Sequence, residues 1–336
     1  MASHIGRRKF LATLLGGAAT WPLAGRARQS ASIRKVSLLI GPAESDIEAQ
    51  RRIAAFRERM QGLGWVDGRN VRFEYRWGGG DADRIARHAA ELVAAQPDVI
   101  MANSTPVIAA LKRATTTIPI VFAVVADPVG DGFVASLSRP GGNITGFSSF
   151  DPEIGGKWVQ LLKEVAPAMT RVALLFNPRT APGGGWPFVR PFVEAAARSA
   201  GVEALPVPAH SPEEIDRGLA ELARASGSGL VAMPDTFVVV NGQAIIRSME
   251  RYRLPAIYPF RLFAEQGGLM SYGVDTADLN ARAATYVDRV LKGEKPADLP
   301  VQAPVKYELA INLRTARALG IEVPLPLLAR ADEVIE

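Results

Sequence analysis

The segment 98–131, DVIMANSTPVIAALKRATTTIPIVFAVVADPVGD, constrains the fold more tightly than any other part of the chain. Val99 to Ala102 is a short apolar run of the kind that a parallel strand buried on both faces requires. Ser104-Thr105-Pro106 follows, a hydroxyl at the N-cap and proline in the first turn, which predicts a helix start. Val107, Ile108 and Leu111 give that helix an apolar stripe, and residues 118–125 form a second β-rich run ending in Ala126-Asp127-Pro128. Strand, loop, helix, strand and loop in this order place polar groups where two parallel strands end. In open α/β sheets that edge receives ligands, because helix N-termini present free N–H groups there.

The same grammar runs through the rest of the 336 residues and then restarts. Residues 36–40 read as a buried strand. Ile53, Phe56, Met60 and Leu63 recur at helical spacing, and Val71, Phe73 and Tyr75 alternate as a strand. Ile85, Ala89, Leu92 and Val93 mark the next helix. After residues 144–147 a helix carrying Trp158, Leu161, Leu162 and Val165 opens a second series, with strands at 172–176, 202–207, 230–233, 255–259 and 269–272. The fold class expected is α/β, two doubly wound parallel-sheet lobes joined by a hinge. The first lobe is expected at 34–148 plus 275–296, and the second at 149–274 plus 297–336. The tail supplies returning helices rather than a third domain.

Charge and cysteine content exclude several classes. The chain holds no cysteine, which removes disulfides, thiol catalysis and the commonest zinc sites. Of the formal charge of +5, four units come from Arg7, Arg8, Lys9 and Arg26, leaving +1 for the remainder and no global case for nucleic-acid binding. Those basic residues belong to GRRKFLATLLGGAATWPLAGRA, a basic, apolar and small-residue series with paired arginines. It reads as a twin-arginine export signal over 1–27, cleaved near Ala27, and places the mature protein in the periplasm. Its apolar run is shorter than the ~20 residues a membrane span needs. No GxSxG elbow, P-loop or GxGxxG fingerprint occurs, and His4, His88 and His210 show no metal-ligand spacing.

Several long stretches together carry a family resemblance: LGWVDGRNVRFEYRW, TIPIVFAVVADPVGDGFVASLSRPGGNITG, RYRLPAIYPFRLFAEQGGLMSYGVD and the ending LARADEVIE. With them the chain resembles, along essentially its whole length, the ABC-transporter substrate-binding proteins of the type I periplasmic binding fold. Within these it is similar to the group that includes tryptophan and tyrosine binders. The resemblance implies three strands crossing between lobes, a ligand closed into the cleft, and handover to an ABC permease in the inner membrane. It also puts cleft loops at 43–45, at Ser104 and Thr105, and at Asp127, Asn177, Asp235, Thr236 and Tyr272, with Ser45 the polar residue of the first. The loop after Asn177, PRTAPGGGWPF, departs from the family pattern in its glycine and aromatic content.

Each candidate has a plainer reading beside the functional one. Ser104 and Thr105 form either an anion cradle or an ordinary helix cap. Asp127 and Asp235 either accept from a ligand ammonium or cap the turns that follow them. Tyr258, Phe260 and Tyr272 either stack on a ligand or pack as core. The expectation is a monomeric periplasmic solute-binding protein without enzymatic activity, cofactor, metal or nucleic-acid partner. An amino acid or close relative would place its carboxylate at Ser104-Thr105 and its ammonium at Asp127. The alternatives are a sensing module feeding a signalling receptor and an exported enzyme of the same shape.

Overall fold

The computed structural model describes residues 33–149, 151–180 and 186–336. The export signal expected over 1–27, and most of the glycine-rich loop, lie outside them. The first series reads β1 (Arg34–Ile40), α1 (Ile47–Gly62), β2 (Val71–Trp77), α2 (Ala82–Ala94) and β3 (Val99–Asn103), then α3 (Thr105–Ala114), β4 (Ile120–Val125) and β5 (Ile144–Ser148). Its five strands lie in the order β2-β1-β3-β4-β5, all parallel. The central strands β3 and β4 are apolar on both faces, as a sheet covered by helices on both sides demands, whereas the edge strand β2 alternates charged residues. One face packs on α1, through Ile53, Phe56 and Met60. The other packs on α2 and α3, through Ile85, Leu92, Ile108 and Leu111.

The second series is α4 (Ile154–Val165), β6 (Arg171–Phe176), α5 (Trp186–Ser199), β7 (Glu203–Pro208), α6 (Pro212–Leu222) and β8 (Ser228–Ala232). It continues with α7 (Thr236–Val240), α8 (Gly242–Tyr252), β9 (Ala256–Tyr258), α9 (Arg261–Glu265) and β10 (Met270–Val274). The tail adds α10 (Thr276–Leu291), β11 (Tyr307–Asn312), α11 (Leu313–Leu319), α12 (Leu325–Leu328) and β12 (Glu333–Ile335). Seven strands form the second sheet in the order β12-β11-β10-β9-β8-β6-β7. It is parallel except where β11 runs antiparallel to β10, a consequence of β11 re-joining the sheet from the other lobe.

The chain passes between the sheets three times: after β5, between β10 and α10, and between Gln302 and β11. Helix α10 follows directly on a strand of the second sheet, yet it packs against α1 and the first sheet, with Ala283, Ala284 and Val287 in the same core as Phe56. The return falls later than the sequence suggests. Thr145 Oγ1 donates to the Leu299 carbonyl at 2.6 Å, and Val301 and Gln302 bond to Leu137 and Gly146, so residues 299–302 lie along the first sheet rather than in the second lobe. Pro300 and Pro304 break any helix there, and the extended backbone finds its partners on the free edge of β5. At the last two crossings Asp275 and Lys306 are paired, Lys306 Nζ lying 2.8 Å from Oδ2 of Asp275.

Phe56 is wholly buried and meets Phe73 edge-on at 6.1 Å. Phe56→Ala leaves a cavity between α1, α10 and the sheet and is expected to cost about 3–5 kcal/mol. Urea denaturation checks this, and a loss below about 1 kcal/mol contradicts the placement of α1.

Candidate functional site

The carboxyl ends of the parallel strands in the two sheets face each other. A small cavity between them is lined from the first lobe by Pro42, Arg52, Asn103, Ser104, Thr105 and Val124. From the second lobe come Thr180, Asp235, Thr236, Val239 and Phe260. Asn103 is the last residue of β3, Pro42 follows β1, Asp235 follows β8 and Phe260 follows β9, so the topology itself delivers them. The lobes are drawn close, leaving about 30 Å³ of free space.

Three buried polar atoms of residues lining this space have no hydrogen-bond partner among the described residues: Arg52 Nη2, Asn103 Oδ1 and Ser104 Oγ. Each belongs to a residue at most 7 % exposed, so solvent does not satisfy them. Such atoms are rare in folded proteins, because an unmatched buried polar group costs about 1–3 kcal/mol. Their convergence in one cavity separates it from the rest of the surface. A larger groove of about 700 Å³ lies beside α4 and α5, but it is open, and its charged residues are not buried.

Arg52 departs from what its residue type suggests. It lies on α1 among Ala49, Ile53, Phe56 and Met60, on the buried side of the helix, and is 3 % exposed. Its Nε sits 3.4 Å from Oε1 of Glu48 one turn earlier, and Thr276 Oγ1 donates to the same carboxylate oxygen. Across the cleft the guanidinium carbon lies 5.3 Å from the centre of the Phe260 ring, a cation–π contact between lobes. Asn103 is oriented in the same way, its Nδ2 donating to Oδ1 of Asn280 at 3.2 Å, which leaves its carbonyl oxygen for the cavity.

Ser104 stands at the N-cap of α3 but makes no capping hydrogen bond. The cradle and the ordinary cap are therefore distinguishable here, and the hydroxyl is free. Its backbone is at φ 102°, ψ 152°, a region that residues with a Cβ rarely enter. Beside it Val124 holds φ 59°, unusual for a β-branched residue, at the irregularity where β4 pairs with β5. Strain of about 1–3 kcal/mol at each position is thus gathered at the cavity wall. Gly41 permits the close packing: a Cβ there would lie 2.4 Å from Ser104 Oγ.

Asp235 caps α7. Its Oδ1 accepts from Val238 N at 2.9 Å and Thr180 Oγ1 at 3.2 Å, and its Oδ2 accepts from Asn177 N at 2.9 Å. Burial pushes its carboxyl up to about 6, outweighing the hydrogen bonds that favour the anion. The sequence-predicted residues thus divide. Ser104, Thr105, Asp235 and Thr236 meet at the cavity. Asn177 lies behind it, its Oδ1 accepting from Arg179 N in a local turn.

Three others are not brought there. Ser45 is exposed in the turn before α1, because the chain leaves the cavity at Pro42 and re-enters it only at Arg52. Asp127 accepts from Gly130 N at 2.7 Å and closes its own turn, the plainer of its two readings. Tyr272 lies in the groove beside α4, stacked on Tyr307 at 5.8 Å, because strand alternation turns it to the opposite face of the second sheet. Arg52 and Thr180 went unread. The stripe spacing 49, 52, 53, 56 was the available signal for Arg52, since it puts a charge on the core side of the helix.

With this geometry in hand, comparison with known proteins is informative. Residues 47–335 match the model of the ABC transporter substrate binding protein family. The chain belongs to that family. A curated relative, a tyrosine-binding protein of Clostridioides difficile (strain R20291), is 26 % identical over 276 residues, covering 80 % of this chain and 76 % of the relative. A solved domain from Streptococcus pneumonia in complex with L-Trp superposes with a TM-score of 0.83 at 26 % identity, covering 90 % of this chain and 100 % of that one. A conserved domain protein from Vibrio cholerae gives 0.82 at 27 % identity, covering 90 % and 99 %.

Two predictions follow from the cavity wall. Ser104→Gly relieves backbone strain and removes an unmatched hydroxyl, so stability is expected to rise by about 1 kcal/mol while affinity for the cleft ligand falls. Thermal unfolding and calorimetry read the two effects, and a destabilised variant contradicts the strained geometry. Asp235 in the folded protein titrates near 6, against an ordinary 3.8. The stability its neutral form contributes is therefore whole below pH ~4 and is lost as pH rises through ~6. The stability of the parent minus that of Asp235→Asn should shrink by up to about 3 kcal/mol between pH 4 and pH 7 in urea titrations. A difference that does not change with pH contradicts the burial of that carboxyl.

Proposed function

We propose that the protein is the solute-binding component of an ABC importer, exported to the periplasm, where it captures an amino acid or close relative between its lobes and presents it to a membrane permease. The observation that carries this reading is the interlobe cavity, with unmatched polar atoms of Arg52, Asn103 and Ser104 on one wall and Asp235, Thr236 and Phe260 on the other. The ligands named for two relatives, tyrosine and L-Trp, lean the same way.

In the closed arrangement the cavity has about 30 Å³, whereas a pocket for a small molecule needs about 300 Å³ or more. Ligand therefore binds to separated lobes, and closure follows. Closure is driven by contacts available only when both walls reach the ligand. The hinge consists of the crossings after β5, at Val274-Asp275 and at 303–306. The groups at the site are suited to holding a charged or polar solute by hydrogen bonds, and binding with release is the whole of the mechanism. One chain supplies both walls, so a monomer suffices to form the site.

Calorimetry with the twenty amino acids on protein stripped of ligand in denaturant and refolded is expected to find micromolar or tighter binding for at least one of them. X-ray scattering is expected to show compaction when that ligand saturates the protein. Absence of heat with every amino acid overturns the ligand class, and unchanged scattering on binding overturns closure.

A further inference from the structure

We infer that Arg52 is the specificity-determining residue of the cleft, an anchor for a ligand carboxylate, and that a free carboxylate is what the site demands of its ligand; the inference rests on the interlobe cleft being the ligand site. A guanidinium carries five N–H donors in a planar fork. Among the described residues Arg52 has a protein acceptor at Nε, the Glu48 carboxylate at 3.4 Å, and Nη2 is buried with none. A buried cation is stabilised only when paired and hydrogen-bonded. A long single contact to Glu48 leaves most of that requirement open, on the side that faces the cavity.

The surrounding atoms define the shape of the missing partner. Ser104 Oγ has no partner among the described residues and can donate, and the first N–H of α3, that of Thr105, stands beside it. These donors and Arg52 together fit a planar anion that accepts through two oxygens. Asn103 Oδ1 is an acceptor only, its amide nitrogen being committed to Asn280. It fits a donor on the atom next to the anion. Carboxylate and adjacent ammonium are the two ends of an α-amino acid. Asp127, which lies outside the cavity and caps its own turn, is not required for the ammonium.

Phe260 makes the anchor sensitive to closure. The ring belongs to the second lobe and lies over a guanidinium of the first, so the contact exists only with the lobes together.

The test compares acids with their neutral counterparts, using L-tryptophan, L-tyrosine, their primary amides, and tryptamine and tyramine as probes in calorimetry. The parent is expected to bind the acids at least about 10-fold more tightly than the amides. Arg52→Lys keeps the charge without the fork and is expected to bind the acids about 10-fold less tightly. Arg52→Met combined with Glu48→Gln, which leaves neither charge buried alone, is expected to lose about 100-fold and with it the preference for acid over amide. That ratio separates an anchor from a merely structural residue, whose loss weakens both ligands alike. Equal binding of acids and amides by the parent, a retained ratio in the double variant, or preferential binding of the amines overturns the assignment of Arg52 while leaving the cleft as the binding site. Binding of none of the probes by the folded parent overturns the proposal, whereas the amino-acid reading itself falls only if the full twenty also give no heat.

Discussion

A guanidinium buried between two lobes is the constraint on which the rest of this structure turns. Arg52 sits in the apolar stripe of α1, where almost any other polar residue would be excluded, and its position depends on groups from distant parts of the chain. Glu48 provides the counter-charge, Thr276 steadies Glu48 from the start of α10, and Phe260 covers the open face from the second lobe. Burying an ion costs several kcal/mol unless its bonds are made, so an incompletely paired arginine persists only where the surrounding fold holds it. The fold here does so through the packing of α1 on α10, both of which contribute large buried side chains to one core.

The backbone shows the same economy. Ser104 and Val124 end neighbouring parallel strands in conformations that cost about 1–3 kcal/mol each, and both line the cavity. Strands β3 and β4 are apolar and buried almost throughout, so the strain is offset by the sheet and its helices. The unmatched atoms and the strained residues lie within one cavity wall. That coincidence is hard to attribute to the general run of packing, which places polar groups with partners and β-branched residues at negative φ.

Much of the fold is legible in the sequence because its signals are local. The apolar runs that become β1, β3 and β4 announce buried parallel strands, and Ser-Thr-Pro announces α3. The antiparallel β11 and the route of residues 299–302 are not legible, because both depend on where a returning chain finds an unpaired strand edge, a long-range property. The site divides in the same way. Ser104, Thr105, Asp235 and Thr236 follow from the rule that loops at strand ends line clefts. Asp127 obeys that rule too, yet its carboxylate accepts from Gly130 N three residues on, closing its own turn outside the residues that line the cavity. Tyr272 lies on the face of the second sheet that packs on α4, a placement that only the register fixes. Arg52 was hidden because a charge in a helix suggests solvent, although its spacing put it on the apolar side.

Helix α10 links a crossing between the sheets to the cavity wall. Its first turn follows immediately on β10 of the second sheet, yet it sets two groups of the first-lobe wall: Thr276 bonds Glu48, which pairs with Arg52, and Asn280 orients Asn103. A crossing segment and the supports of the ligand-facing groups are thus within six residues of each other. Rotation about Val274 and Asp275 cannot be isolated from the geometry of that wall. The Lys306–Asp275 pair ties the neighbouring crossing to the same point. Such pairs at the surface contribute little to stability, about 0–1 kcal/mol. Its importance lies in geometry, since it joins two of the crossings beside the helix that holds the cavity groups.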